Sequence, residues 1–104
     1  MPKKKERLTK TDFNGLSRRE IIRDPLFDVG YVQATFPKVA CIISKKTLRR
    51  AVDRNKAKRK LYNIYSLNKP NKPYIIIFYP KKETLYTPFI ELNAKMQEIF
   101  AKLK

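Results

Sequence analysis

Residues 38–67 read KVACIISKKTLRRAVDRNKAKRKLYNIYSL, and the change of pattern inside this stretch decides the fold. Lys38–Ser44 is apolar on both alternating faces, with Val39, Cys41 and Ile43 on one and Ala40 and Ile42 on the other. A strand covered on both sides has this pattern, so a central strand is expected. From Thr47 to about Leu67 the spacing predicts a long helix, with Thr47 as a candidate N-cap. Asn68–Pro73 holds two prolines and ends it. Tyr74–Tyr79 is then a near-continuous apolar run, read as a second buried strand.

Working outward, Leu26–Thr35 is rich in β-formers and reads as a strand that Phe36-Pro37 turns and that Asp24-Pro25 precedes. Thr9 with Asp12 resembles a capping box, which predicts a short helix over Lys10–Ser17, weakened by Gly15. Residues 1–8 read as a basic arm. At the other end, Thr87-Pro88 is expected to start the last helix, with Pro at its first position. Phe89, Leu92, Met96, Ile99 and Leu103 follow at three- and four-residue steps and read as a core stripe. The order helix, strands, helix, strand, helix implies an α+β fold, one sheet with helices packed on it. At 104 residues the chain suffices for one domain with one modest core, spanning 1–104.

Charge narrows the function. Twenty-five Lys and Arg face nine Asp and Glu, a net +16 at pH 7. Solubility is served by a net charge of roughly 2–8, so the excess points to a polyanion, nucleic acid before an anionic membrane. There is no His and one Cys, which removes an internal disulfide, the usual zinc sites and His-based catalysis. Cys41 is read as a small core residue. The start leads into no apolar signal segment and no run could span a membrane, so a cytoplasmic protein is expected. The nine acids are scattered, without a pair spaced for metal or acid–base work; no catalytic or metal-ligating residue is assigned.

Nine of the basic residues and a single acid, Asp53, lie in Lys45–Lys60. On one continuous helix Lys46, Arg50, Arg54 and Lys58 would form a row, about 6 Å apart along the axis. Lys45, Arg49, Lys56 and Lys60 would lie on a neighbouring face. Lys45, Lys46, Arg49 and Arg50 would also crowd the end where the helix dipole is already positive. A solvated face explains solubility but not this placement, whereas a bound phosphate reverses the repulsion. Asn55 is read two ways, as a core-edge residue or as a contact to a base or sugar hydroxyl. Among the twelve aromatics most are read as core, Phe89 and Phe100 especially. Phe13, Phe27 and Tyr31, near the basic segments, are the candidates for stacking on an unpaired base, although for each one taken singly a core position is the favoured reading.

Pro37–Ala40 through Ser44-Lys45-Lys46, then Arg49-Arg50-Ala51 and Arg54-Asn55-Lys56-Ala57-Lys58-Arg59, resembles the central block of the bacterial ribonuclease P protein family. Tyr74–Ile77 and Arg7-Leu8 with Asp12-Phe13 resemble the family's next strand and its opening. The resemblance implies an αβββαβα sandwich with a central sheet, a long basic helix and a left-handed crossover. It implies that Lys45, Lys46, Arg49, Arg50, Arg54, Asn55, Lys56, Lys58 and Arg59 meet a catalytic ribonuclease P RNA. It implies a cleft for the 5′ leader of precursor tRNA, with Phe13, Phe27 and Tyr31 as candidates, and Mg²⁺ bound mainly by the RNA, which performs the hydrolysis. No protein partner is required. The chain departs from the family at four places, one of them an opening that is one residue short. Lys56 stands where the family has Arg and lacks its bidentate fork, Tyr62 stands where a further Arg is frequent, and Ser17 replaces a second aromatic. The other readings are a structural RNA-binding protein of ribosomal type and a membrane-active cationic protein. The last fits poorly, because the charge lies on several helix faces.

Overall fold

The computed structural model describes residues 19–103. The basic arm, the short helix at 10–17 and Phe13 lie outside the described residues.

Four strands form one sheet in the order β1-β2-β4-β3. β1 (Glu20–Ile22) and β2 (Phe27–Gln33) pair antiparallel, and β2 pairs antiparallel with β4 (Tyr74–Pro80). β3 (Lys38–Cys41) pairs with β4 in parallel, Val39 opposite Ile76. A parallel pair needs a crossover, and α1 (Ala51–Leu67) supplies it. Two further helices, α2 (Lys82–Tyr86) and α3 (Phe89–Phe100), complete the described fold.

Alternation along the strands puts Phe27, Val29, Tyr31, Val39, Cys41, Tyr74, Ile76 and Phe78 on one sheet face. There they meet Leu61, Ile64 and Tyr65 of α1 and Leu92, Met96 and Ile99 of α3. Phe78 anchors the centre, edge-on to Phe27 at 5.8 Å and to Tyr65 at 6.2 Å and stacked with Phe100 at 6.4 Å. Burial pushes the Cys41 thiol up to about 12, with Lys58 opposing the shift weakly.

Several expectations are corrected. β3 is an edge strand, not a central one. Val39 and Cys41 are buried, but Ala40 is half-buried and Ile42 is 43% exposed. The two-sided strand is β4, where Ile76 and Ile77 point to opposite faces and both are buried. β1, three residues long, went unforeseen because Glu20-Ile21-Ile22 is too short to show a period, and α2 likewise. Pro88 caps α3 with extended backbone (φ −61°, ψ 152°) instead of occupying its first turn. Phe89 is 45% exposed, so the stripe on α3 begins at Leu92.

α1 begins at Ala51, four residues later than Thr47. Arg50 is its N-cap residue, in extended conformation. Upstream the chain closes a separate turn: the Thr47 and Leu48 N–H groups donate to the Ser44 carbonyl at 3.1 and 3.2 Å, and the Ser44 and Thr47 hydroxyls bond at 3.0 Å. Leu48 is buried and pins this loop. Four cations in a first helical turn would repel each other and the helix dipole, and the loop takes Lys45, Lys46 and Arg49 out of it and leaves Arg50 at the cap. Asp53 is the charge left in the first turn, where an acid is favoured.

Candidate nucleic-acid interface

The later start of α1 redistributes the basic segment. Lys46 and Arg50 no longer share a helical row with Arg54 and Lys58. Lys45, Lys46, Arg49 and Arg50 are exposed on the loop before α1. On α1 itself, at about 100° per residue, buried Ala57, Leu61, Ile64 and Tyr65 mark the inner face. Asn55, Lys56 and Arg59 are exposed on the outer face. Asn55 is therefore no core-edge residue. Val52, beside it in sequence, is itself 57% exposed.

Two cations of the segment serve the fold. Arg54 donates from one guanidinium nitrogen to the Leu48 and Arg49 carbonyls, both at 2.8 Å, and ties the loop to the helix. Lys60 lies on a flank of the inner face and donates to the carbonyls of Leu85 at 2.9 Å and Thr87 at 3.1 Å, with Thr84 at 3.4 Å. Desolvation, aided by the charge of Lys56, lowers the Lys60 pKa. Nothing in residue type distinguishes Arg54 and Lys60 from their neighbours; what does is the backbone carbonyls within their reach, Arg54 from the first turn of the inner face and Lys60 from its flank.

Among the described residues Lys45, Lys46, Arg49, Arg50, Lys56, Lys58 and Arg59 make no ion pair. Carboxylates are engaged elsewhere. Lys81 meets Asp28 at 3.3 Å, Arg23 meets it at 3.5 Å, and Lys95 reaches Asp24 at 3.4 Å and Glu98 at 3.5 Å. The hydrogen bond to Asp24 is the main cause of the raised Lys95 pKa. Seven neighbouring cations without counter-ions form a surface that a row of phosphates would neutralise.

The stacking candidates fare differently. Phe27 is fully buried, edge-on to Phe78, so the core reading holds for it and its candidacy as a surface contact is corrected. Tyr31 is 8% exposed on the same face. Its hydroxyl donates to Glu20 at 2.7 Å, and that bond together with burial raises its pKa to about 12. The sheet's pleat decides this: Phe27, Val29 and Tyr31 share the core face, so Asp28, Gly30 and Val32 take the other. On that other face Arg19, Ile21, Arg23, Asp28 and Tyr79 line a groove of about 280 Å³. Gly30 forms part of its floor, since a Cβ there would lie 3.2 Å from Arg19 and 3.4 Å from the Tyr79 ring. Tyr79 is the aromatic that sequence reasoning missed. Inside an apolar run its side is set only by the register that pairs it with Asp28.

Among the described residues no group of three or more His, Cys, Asp or Glu could hold a metal ion, and no helix is long and apolar enough to cross a membrane. A family model described as ribonuclease P matches residues 1–104. The fold is similar to that of the RNase P protein from Thermotoga maritima, with a TM-score of 0.82 at 21% identity over 95% of this chain and 98% of that one. It is similar also to RNase P protein structures from Staphylococcus aureus. One has a TM-score of 0.76 at 18% identity, covering 92% and 93% of the two chains. Another has 0.70 at 20% identity, covering 100% and 98%.

Proposed function

Since this chain belongs to the ribonuclease P family, we propose that it acts as the RNA-binding protein subunit of that tRNA-processing ribonucleoprotein, with two surfaces for two RNA strands. The observation that carries the reading is the cluster of cations without ion pairs on the 45–50 loop and on α1. In this reading Lys45, Lys46, Arg49, Arg50, Lys56, Lys58 and Arg59 neutralise phosphates of the ribonuclease P RNA, and exposed Asn55 reaches a base or sugar hydroxyl. Arg54 acts through the loop that it holds. The groove on the opposite sheet face, with Tyr79 and the cations Arg19 and Arg23, takes the single-stranded 5′ leader of precursor tRNA. An aromatic beside cations suits an unpaired strand.

The described side chains offer no fitting site for Mg²⁺. Asp24 and Asp28 are bound by Lys95, Lys81 and Arg23, and Asp28 also accepts the Asp24 N–H at 3.0 Å. In this reading the ion is held mainly by the RNA, which performs the hydrolysis. The protein's part is to neutralise, position and hold, within a cytoplasmic complex that needs no other protein. A structural RNA-binding role of ribosomal type does not account for the family match over the whole chain. The test is reconstitution: protein, ribonuclease P RNA and precursor tRNA at low Mg²⁺ should give the mature 5′ end, and RNA-free protein should give none. Cleavage by RNA-free protein, or no help from added protein, would overturn the reading.

A further inference from the structure

The corner between α2 and α3 carries the densest group of exposed large apolar side chains in the described chain. Tyr86 is 79% exposed, Ile90 80% and Phe89 45%, all within five residues. Interior demands do not explain them, because the side chains that α3 sends into the core are Leu92, Met96 and Ile99. The corner is also firmly held. Lys60 Nζ donates to the two carbonyls that flank Tyr86, those of Leu85 and Thr87. Buried Thr84 donates its hydroxyl to the Leu26 carbonyl at 2.7 Å. Tyr86 is thus an exposed ring on a fixed backbone, anchored to the helix that carries the unpaired cations. Lys56 lies one turn before Lys60 on α1, and Arg59 precedes Lys60 directly.

Charge selects the occupant. A second copy of this chain would bring another +16 and repel the first. Glu83 and Glu91 flank the corner in sequence and make it a poor phosphate site. A nucleobase fits both facts, since it is uncharged, flat and apolar on its faces, and Lys56, one turn from Lys60 on the helix that holds the corner, is an exposed cation for the phosphates of the same strand. We propose that the α2–α3 corner continues the α1 interface, with Tyr86 as a platform on which an unpaired base of the RNA bound by α1 stacks. This rests on the reading of α1 as an RNA-binding helix.

The test uses the full chain and ribonuclease P RNA, with Tyr86→Leu, Tyr86→Phe and Arg59→Ala compared for affinity, salt dependence and thermal melting. Tyr86→Leu should weaken binding about 5- to 150-fold, the range of one lost base–aromatic stack. Its salt slope should be unchanged, because no phosphate contact is removed. Tyr86→Phe should bind like the parent. Arg59→Ala should reduce the salt slope by about 1, and all three should melt like the parent. Chemical probing should find a nucleotide that the parent protects and Tyr86→Leu exposes. If Tyr86→Leu binds as tightly as the parent while Arg59→Ala is weakened, the corner inference fails and the α1 reading stands. If neither variant is weakened, both fail. Loss of self-association by Tyr86→Leu at unchanged RNA affinity would assign the patch to a second copy and overturn the proposal. Equal weakening by Tyr86→Leu and Tyr86→Phe would make the hydroxyl responsible and overturn stacking.

Discussion

On α1 the inner side and the outer face carry the same kinds of residue in opposite employment. Lys60 on a flank and Arg54 at the first turn of the inner face are half-buried and bond to carbonyls of their own chain. Lys56 and Arg59 point outward and make no ion pair among the described residues. The difference teaches that a basic run is no uniform binding surface. About 100° of rotation per residue is enough to separate an outward cation from one that holds the fold.

The largest expected effect concerns the outward cations together. If six to ten phosphates are neutralised, affinity for RNA should fall about 10³–10⁵-fold between 50 and 200 mM salt on the duplex scale, less steeply for single strands. A titration of RNA binding against salt measures this, and a flat line would erase the distinction between inner side and outer face.

Next come the two cations that hold the fold. Lys60→Met keeps most of the apolar stem but leaves the Leu85 and Thr87 carbonyls without their charged donor. We expect a loss of about 1.5–3 kcal/mol, the worth of hydrogen bonds to a charged group. At about 4–8 °C per kcal/mol for a domain of this size, the melting temperature should drop clearly. Arg54→Ala should destabilise by about 1 kcal/mol, since its bonds are more exposed. An unchanged melting temperature in both variants would show that these bonds contribute nothing.

Lys56→Ala sharpens the outer-face side of the comparison. It should leave the melting temperature within about 0.5 kcal/mol of stability and lower the RNA salt slope by about 1. Because the Lys56 charge helps hold the Lys60 pKa down, removing it should also let that pKa rise. Lysine ammonium titration by NMR reads this, and no movement would mean that the two cations are uncoupled.

The effect confined to the narrowest range of conditions lies on the core face of the sheet. The Tyr31 phenol is raised from 10.0 to about 12 by its hydrogen bond to Glu20 and by burial. Its contribution to stability is thus complete below pH 10 and is lost as the pH rises to about 12. Tyr31→Phe should flatten the decline of melting temperature in that window. A decline identical to the parent's would show that Tyr31 does not titrate there.

The long patterns were legible. Tyr74–Tyr79, Asn68–Pro73 and the stripe Leu92, Met96 and Ile99 lie where periodicity and prolines put them. So do the family block and the α+β order. The failures share a cause. Thr47 looked like an N-cap, but Ser44 captured it in a local turn. Phe27 and Tyr31 stay open between core and surface in the sequence, because a strand read without its neighbours does not show its inward side. Lys38–Ser44 looked central because both its faces are apolar, whereas the crossover through α1 places β4 inside and β3 at the edge.

The sequence by itself determined that this is a strongly basic, single-cysteine α+β chain with the ribonuclease P block on and before its long helix. Composition and periodicity are properties of the chain, and no contact is needed to read them. Only the tertiary structure decided which cations face outward, that Arg54 and Lys60 hold the fold, and that Tyr79 rather than Phe27 faces the groove. It also placed Tyr86 beside the basic helix. These outcomes depend on strand register and helix rotation, which are fixed when α1, α3 and the sheet bury their apolar faces against one another.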